Sequence, residues 1–220
     1  MCLALGLAVG IVGAYRVKMI QMPQAVALLN GFGGAASALV AAVSLMEGLT
    51  GIFSLVTAGL ALAVGMITLT GSLIAAGKLQ KLISQRPVVW KGHSAIVGLS
   101  IVLTAVTVAL AAVPTVPVWL SLVLCLCFSG FFGVAFAIRV GGADMPITIS
   151  LLNSLSGVAG AIAGMAIGDP LLVAIGGVVG ASGLLLTQIM CRAMNRHLGD
   201  ILLGKTSAPT KREKAEPAAV

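Results

Sequence analysis

Met22-Pro-Gln-Ala-Val-Ala-Leu-Leu-Asn30-Gly-Phe-Gly-Gly34-Ala-Ala-Ser-Ala-Leu-Val-Ala-Ala-Val-Ser-Leu-Met46 contains no charged residue. From Gln24 onward it is long enough to cross a bilayer, which takes about 20 residues of helix. Comparable apolar runs cover Met1 to Tyr15, Thr50 to Gly77, Gly92 to Val113, Val118 to Ile138, Ile147 to Ile167 and Leu171 to Met190. Only Met1 to Tyr15 is too short to span. Inside lipid every backbone N–H must be satisfied within its own segment, so such runs fold as helices. The expected fold is all-α: a polytopic transmembrane bundle of about seven helices, with residues 1–203 as the membrane domain.

The connections between the runs sort by charge. All thirteen Lys and Arg fall in alternate connections: Arg16 and Lys18; Lys78, Lys81, Arg86 and Lys91; Arg139; then Arg192, Arg196, Lys205, Lys211, Arg212 and Lys214. The other connections carry Glu47, the Pro114 to Pro117 turn and Asp169. Under the positive-inside rule the basic face is cytoplasmic, which puts Met1 on the outer, periplasmic side and Val220 inside.

Composition points the same way. With 59% hydrophobic residues, 9% charged residues, 28 glycines and a mean hydropathy of +1.14, the chain is built to pack helices in lipid through small residues. The net charge of +7 is accounted for by topology, so nucleic acid is excluded as a partner. Cys125 and Cys127 point to opposite helix faces and cannot chelate together, so no metal site is expected, and all four cysteines read as small buried hydrophobes. Met1 to Tyr15 has no basic start and no cleavage pattern, which argues against a secretory signal. It reads as a helix cut at its outer end, so a longer parent chain is expected.

The opening of the quoted stretch returns later in the chain. Met22-Pro to Gly34 lies over Met145-Pro-Ile-Thr-Ile-Ser-Leu-Leu-Asn153-Ser-Leu-Ser-Gly157 without a gap, repeating Met, Pro, Leu, Leu, Asn and Gly. Ala36/Ala159 and Ala38/Ala161 extend the match. Four spans separate the copies, so both run the same way across the membrane and the repeat is parallel. In the helices that follow, Gly65, Gly71 and Leu73 align on Gly177, Gly183 and Leu185. Pairs of helices are therefore the expected repeating unit.

Polar groups inside a membrane are costly and are functional candidates by default. Asn30 and Asn153 each lie seven residues beyond a proline, roughly 10 Å along a helix rising 1.5 Å per residue. Small and polar residues line up with them: Ser150, Ser154, Gly157, Gly160 and Gly164 on the sixth span, and Gly34, Ser37 and Ser44 on the second. The seventh span offers Gly176, Gly180, Gly183 and Thr187 with Ser182 beside them, and the third offers Gly65, Thr68 and Ser72. Four such faces turned to one axis would form a narrow, partly hydrated path; the plainer reading is helix packing through interhelical hydrogen bonds. His93 shares a face with Ser100, Thr104 and Thr107, but two residues after Lys91 it reads as a solvated interfacial side chain. Gly31-Phe-Gly-Gly-Ala-Ala36 fits a dinucleotide fingerprint, yet it lies inside an apolar helix with no preceding strand, so it reads as packing glycine and no nucleotide site is expected.

The runs Gly141-Gly-Ala-Asp144-Met-Pro146, Leu152-Asn153-Ser154-Leu-Ser-Gly157, Gly180-Ala-Ser182-Gly183 and Ile189-Met-Cys-Arg-Ala-Met-Asn-Arg196, with the earlier Met22-Pro-Gln-Ala-Val-Ala and Thr70-Gly-Ser-Leu-Ile-Ala-Ala-Gly-Lys-Leu79, resemble the beta subunit of proton-translocating NAD(P)+ transhydrogenase. The resemblance covers nearly the whole chain. It implies a multi-pass protein of the bacterial inner (plasma) membrane that conducts protons while soluble domains pass hydride between NAD(H) and NADP(H). This chain would hold neither cofactor and would be inactive in hydride transfer alone. The implied partners are an alpha subunit, with membrane helices and the NAD(H) domain, an NADP(H)-binding domain reached through residues 204–220 as linker, and a second copy of the complete enzyme in a homodimer.

Residue by residue, the resemblance assigns Asn153 to the intramembrane asparagine of the family and Asp144 to its acidic residue at the cytoplasmic mouth. Ser182 and Gly183 fall on the small-residue cluster of the last span, and Arg196 on the basic residue leading to the soluble domain. The expected proton pathway is Asn153, Asn30, Ser150, Ser154, Ser182, Gly183 and Ser37, with Asp144 and Arg196 coupling it to the NADP(H) domain. Many relatives carry a membrane histidine where this chain has Asn30. An amide does not titrate near neutrality, so the titrating histidine is expected on the alpha subunit, facing Asn30 and Asn153. Two other readings remain: a secondary transporter of a small solute, favoured by broken helices and a central cavity, and a scaffold dimerising through Gly160/Gly164 and Gly176/Gly180.

Overall fold

The computed structural model describes residues 1–113 and 115–202; the expected linker, 204–220, lies outside the described residues. Those described residues form helices and no strands: α1 (Cys2–Arg16), α2 (Met22–Met46), α3 (Ile52–Leu79), α4 (His93–Ala111), α5 (Val118–Ile138), α6 (Met145–Ile167), α7 (Pro170–Ala193) and the short α8 (Leu198–Leu202). Six of them, α2 to α7, are long and apolar enough to cross a membrane, and α1 is the shorter apolar helix. The six spans are continuous helices.

Local sequence explains where these helices begin and end. A 3-10 turn leads into both α2 and α6, whose prolines sit in the first turn, where a missing N–H costs nothing. At the far end of α6, Gly168 adopts a left-handed conformation with φ 71°. Asp169 then caps α7, its Oδ1 accepting from the N–H groups of Leu171 and Leu172 at 2.9 and 3.1 Å.

The rod at the centre is α3. It packs against α2, α4, α5 and α6, while α7 packs on α6 and α4 on α5. Large aliphatics such as Leu39, Leu73, Ile101, Val123, Ile175 and Val178 stay exposed, an outer belt suited to lipid, and the buried core is dominated by alanine. α1 is exposed along nearly its whole length. Cys125 is buried and Cys127 exposed, as opposite faces require, so Cys127 is not the buried hydrophobe expected of it.

Glycine contacts reveal the repeat and shift its register. A Cβ on Gly34 would strike Gly65 O and Thr68, and one on Gly65 would strike Gly34 O and Ala38. In the second pair, a Cβ on Gly157 would strike Val179 and Gly180, and one on Gly176 would strike Gly157 O and Ala161. Gly65 therefore corresponds to Gly176, not to Gly177, around which the space is open. By the same offset Gly31 against Ser72 becomes Ser154 against Gly183. The glycines considered for a dimer seam are largely consumed within the chain: Gly164, Gly176 and Gly180 close the α6–α7 contact, and Gly160 looks toward Ser37.

Candidate functional site

For the expected pathway residues, the side-chain hydrogen bonds between spans close in pairs, α2 with α3 and α6 with α7. Between α2 and α3, Asn30 Nδ2 donates to Ser72 Oγ at 3.0 Å. Asn30 is buried, and its Oδ1 has no hydrogen-bond partner among the described residues. Between α6 and α7, Ser154 Oγ donates to Gly180 O at 2.6 Å. One turn toward the basic end, Ser150 Oγ, Thr187 Oγ1 and Gly183 O form a cluster: 2.9 Å separates the hydroxyls, and they lie 3.4 and 2.8 Å from the carbonyl. Two hydroxyl protons serve three contacts there, so the bonds can re-form in more than one pattern.

Asn153 behaves differently from its repeat mate. It is exposed on the surface of the chain, as is Ser182. The register explains why: the position Ser72 holds opposite Asn30 is Gly183 opposite Asn153, which has no side chain to receive the amide. Ser37 is half-buried and donates to Gly33 O on its own helix at 3.2 Å. Gly33 and Gly160 bring this part of α2 beside Ser156 and the face of α6 that carries Asn153.

At the basic end, Asp144 sits in the 3-10 turn ahead of α6 and is buried. Its Oδ1 lies 3.5 Å from Arg196 Nε. The two line a groove of about 340 Å³ with Gln85, Arg86, Pro87 and the Gly141 to Ala143 loop. Arg139, just past α5, is buried with its Nε unpaired among the described residues, and burial lowers the pKa of its guanidinium from the ordinary value.

His93 does not match its sequence reading as a solvated side chain. It is buried, with Nε2 3.0 Å from Ala135 O and Nδ1 accepting from the Trp90 N–H at 3.4 Å. Gly92, left-handed at φ 74°, turns the chain so that this ring tucks under α5. Ser100, Thr104 and Thr107 share its buried face and bond back to carbonyls of their own helix. Lys78 was read only as one of the basic charges. It is fully buried, and its Nζ donates to the carbonyls of Ile138 and Val140. Its place one residue inside the end of an apolar helix was the available signal.

The dinucleotide-like stretch is spent on packing. Gly31 lies against Ser72 and Gly34 against Gly65, both inside a continuous helix.

A family model described as the NAD(P) transhydrogenase beta subunit matches residues 1–219. The curated NAD(P) transhydrogenase subunit beta of Rhodospirillum rubrum is 41% identical over 214 residues, covering 93% of this chain and 46% of that protein. The same protein from a designated strain of that species matches with the same identity and coverage. The chain thus spans about half the length of the curated relatives it matches. The runs around Asp144, Asn153 and Gly183, set in a bundle of six bilayer-length helices, accord with these matches, and the chain belongs to the NAD(P) transhydrogenase beta subunit family.

Proposed function

We propose that this chain is the proton-conducting membrane part of an enzyme that couples proton translocation to hydride transfer between NAD(H) and NADP(H). The observation that carries the reading is the exposed amide of Asn153, roughly 10 Å along α6 from Pro146 at 1.5 Å per residue. An amide facing hydrocarbon is costly, so this face calls for a polar cover. A helix of the alpha subunit bearing a titrating histidine supplies both the cover and the group that an amide cannot replace.

In this reading Asn30, Ser37, Ser150, Ser154, Ser182 and Gly183 support the path beside Asn153. Asn30 Oδ1, buried and unpaired among the described residues, offers an acceptor to a passing water. The basic end is cytoplasmic, in a bacterial plasma membrane. There the Asp144–Arg196 pair and the groove beside it meet the NADP(H)-binding domain and report the state of the path. The complete enzyme works as a dimer, and hydride transfer belongs to its soluble domains. The spans are unbroken, so the broken helices that would favour the solute-transporter alternative are not among its supports.

The test uses the complete enzyme in proteoliposomes. Asn153→Ala, and replacement of the partner histidine, are each expected to abolish the response of hydride transfer to a proton gradient while the complex stays assembled. Unaltered coupling in both variants sinks the reading.

A further inference from the structure

The geometry points to Lys78 as the positioning residue that holds Asp144 in place, by clamping the end of α5 to the end of α3. This deepens the coupling role proposed above for Asp144 and rests on it only for its functional consequence.

The last carbonyls of a helix lack partners within the helix and carry its negative end, so a cation there is both donor and counter-charge. Lys78 meets that need from a neighbouring helix. Its Nζ donates to Ile138 O and, at 2.8 Å, to Val140 O, and the side chain is 0% exposed. Two backbone bonds extend the clamp: Val88 N–H donates to Ile138 O at 3.2 Å, and Gly142 N–H to Gln85 O at 2.9 Å. The loop after α3 and the loop after α5 are thereby joined into one pad. Asp144 follows two residues beyond Gly142, its own N–H bonded to Gly141 O at 3.0 Å and its carboxylate beside Arg196. Between Val140 and Asp144 there are only Gly141, Gly142 and Ala143, and Gly142 to Asp144 form a hydrogen-bonded 3-10 turn, so the segment is short and internally braced. A displacement at its start is therefore passed on to the carboxylate.

The position also makes Lys78 a link between spans. It belongs to α3, the rod that touches four others, and Ser72, which holds Asn30, lies six residues earlier on the same helix. A shift of α3 along its axis would move the Asn30 partner and the Asp144 anchor together.

In the complete enzyme, Lys78→Met keeps the aliphatic stem and removes the donors. Hydrogen exchange of residues 139–144 is expected to rise about tenfold or more, as for loss of a local tether, while exchange in α7 stays unchanged. Lys78→Arg, which still reaches the carbonyls, is expected to restore most of the protection. The response of hydride transfer to a gradient should fall in Lys78→Met but not fall further when Lys78→Met is added to Asp144→Asn, because both changes act through one carboxylate. Wild-type exchange at 139–144 in Lys78→Met overturns the proposal, as does a full additional loss of coupling in the Asp144→Asn background. Faster exchange with coupling intact in both single variants upholds the positioning role and removes Asp144 from the coupling reading instead. If Lys78→Met does not assemble, Lys78→Leu, which also lacks a donor, takes its place with the same expectations.

Discussion

Asn30 and Ser72 are joined by a single 3.0 Å hydrogen bond across the α2–α3 seam, and Ser72 is the partner that Asn153 lacks in the repeated pair. Interhelical bonds of this kind in membranes contribute about 0.6 kcal/mol on average, because an unfolded chain in lipid also finds partners. A double-mutant cycle with Asn30→Ala and Ser72→Ala, followed by reversible unfolding in mixed micelles, is therefore expected to give a coupling near that value. A coupling indistinguishable from zero means the bond is not formed in the protein.

The register shift makes a sharp pair of expectations at adjacent glycines. A Cβ at position 176 meets the backbone of Ala161 and Gly157 O, whereas position 177 is open. Gly176→Ala should destabilise by about 1–3 kcal/mol, the usual cost of overpacking. Gly177→Ala should be neutral or gain up to about 1 kcal/mol from the better helix former. Thermal unfolding of the two variants decides it; the reverse order would restore the alignment of Gly65 on Gly177.

Asn153 and Ser182 are exposed in the isolated chain. In a background without native cysteines, Asn153→Cys and Ser182→Cys should both react with a membrane-permeant maleimide. Assembly with an alpha subunit should protect both. Equal labelling before and after assembly would mean that no partner covers these positions in the complete enzyme.

Arg196→Gln leaves the carboxylate of Asp144 buried without its counter-ion. The expected cost is about 1–3 kcal/mol, the penalty for stranding a buried polar group, measured by the temperature of irreversible aggregation or by denaturant titration. Adding Asp144→Asn should recover part of it. No recovery would show that Arg196 stabilises the basic end through other contacts.

Hydropathy and the distribution of basic residues were sufficient to lay out the helices, because length and charge alone decide what can cross lipid. Helix rotation was less legible. In water an apolar stripe marks the inner face, but in a bilayer leucines face lipid and protein alike, so periodicity says little about which side of α6 is covered. Asn153 and Asn30 look equivalent in sequence, and only the change from Ser72 to Gly183 on a different helix separates them. Buried His93 and Lys78 escaped for a related reason. Both stand at helix ends, where a polar side chain ordinarily reaches water, and their burial depends on loops that sequence spacing does not place. The turn around Asp144 was legible as a break between spans, because Gly141, Gly142 and Pro146 interrupt the apolar run there.

The exchange of a serine for a glycine at one seam gives the two halves of this duplicated architecture separate occupations. The first half commits its amide nitrogen inward to Ser72, while the amide oxygen stays buried without a partner among the described residues. The second leaves its amide exposed, with no hydrogen-bond partner among the described residues. A difference of one hydroxymethyl group at the matching position is thus enough to turn one amide inward and leave its counterpart outward, without any new chemistry.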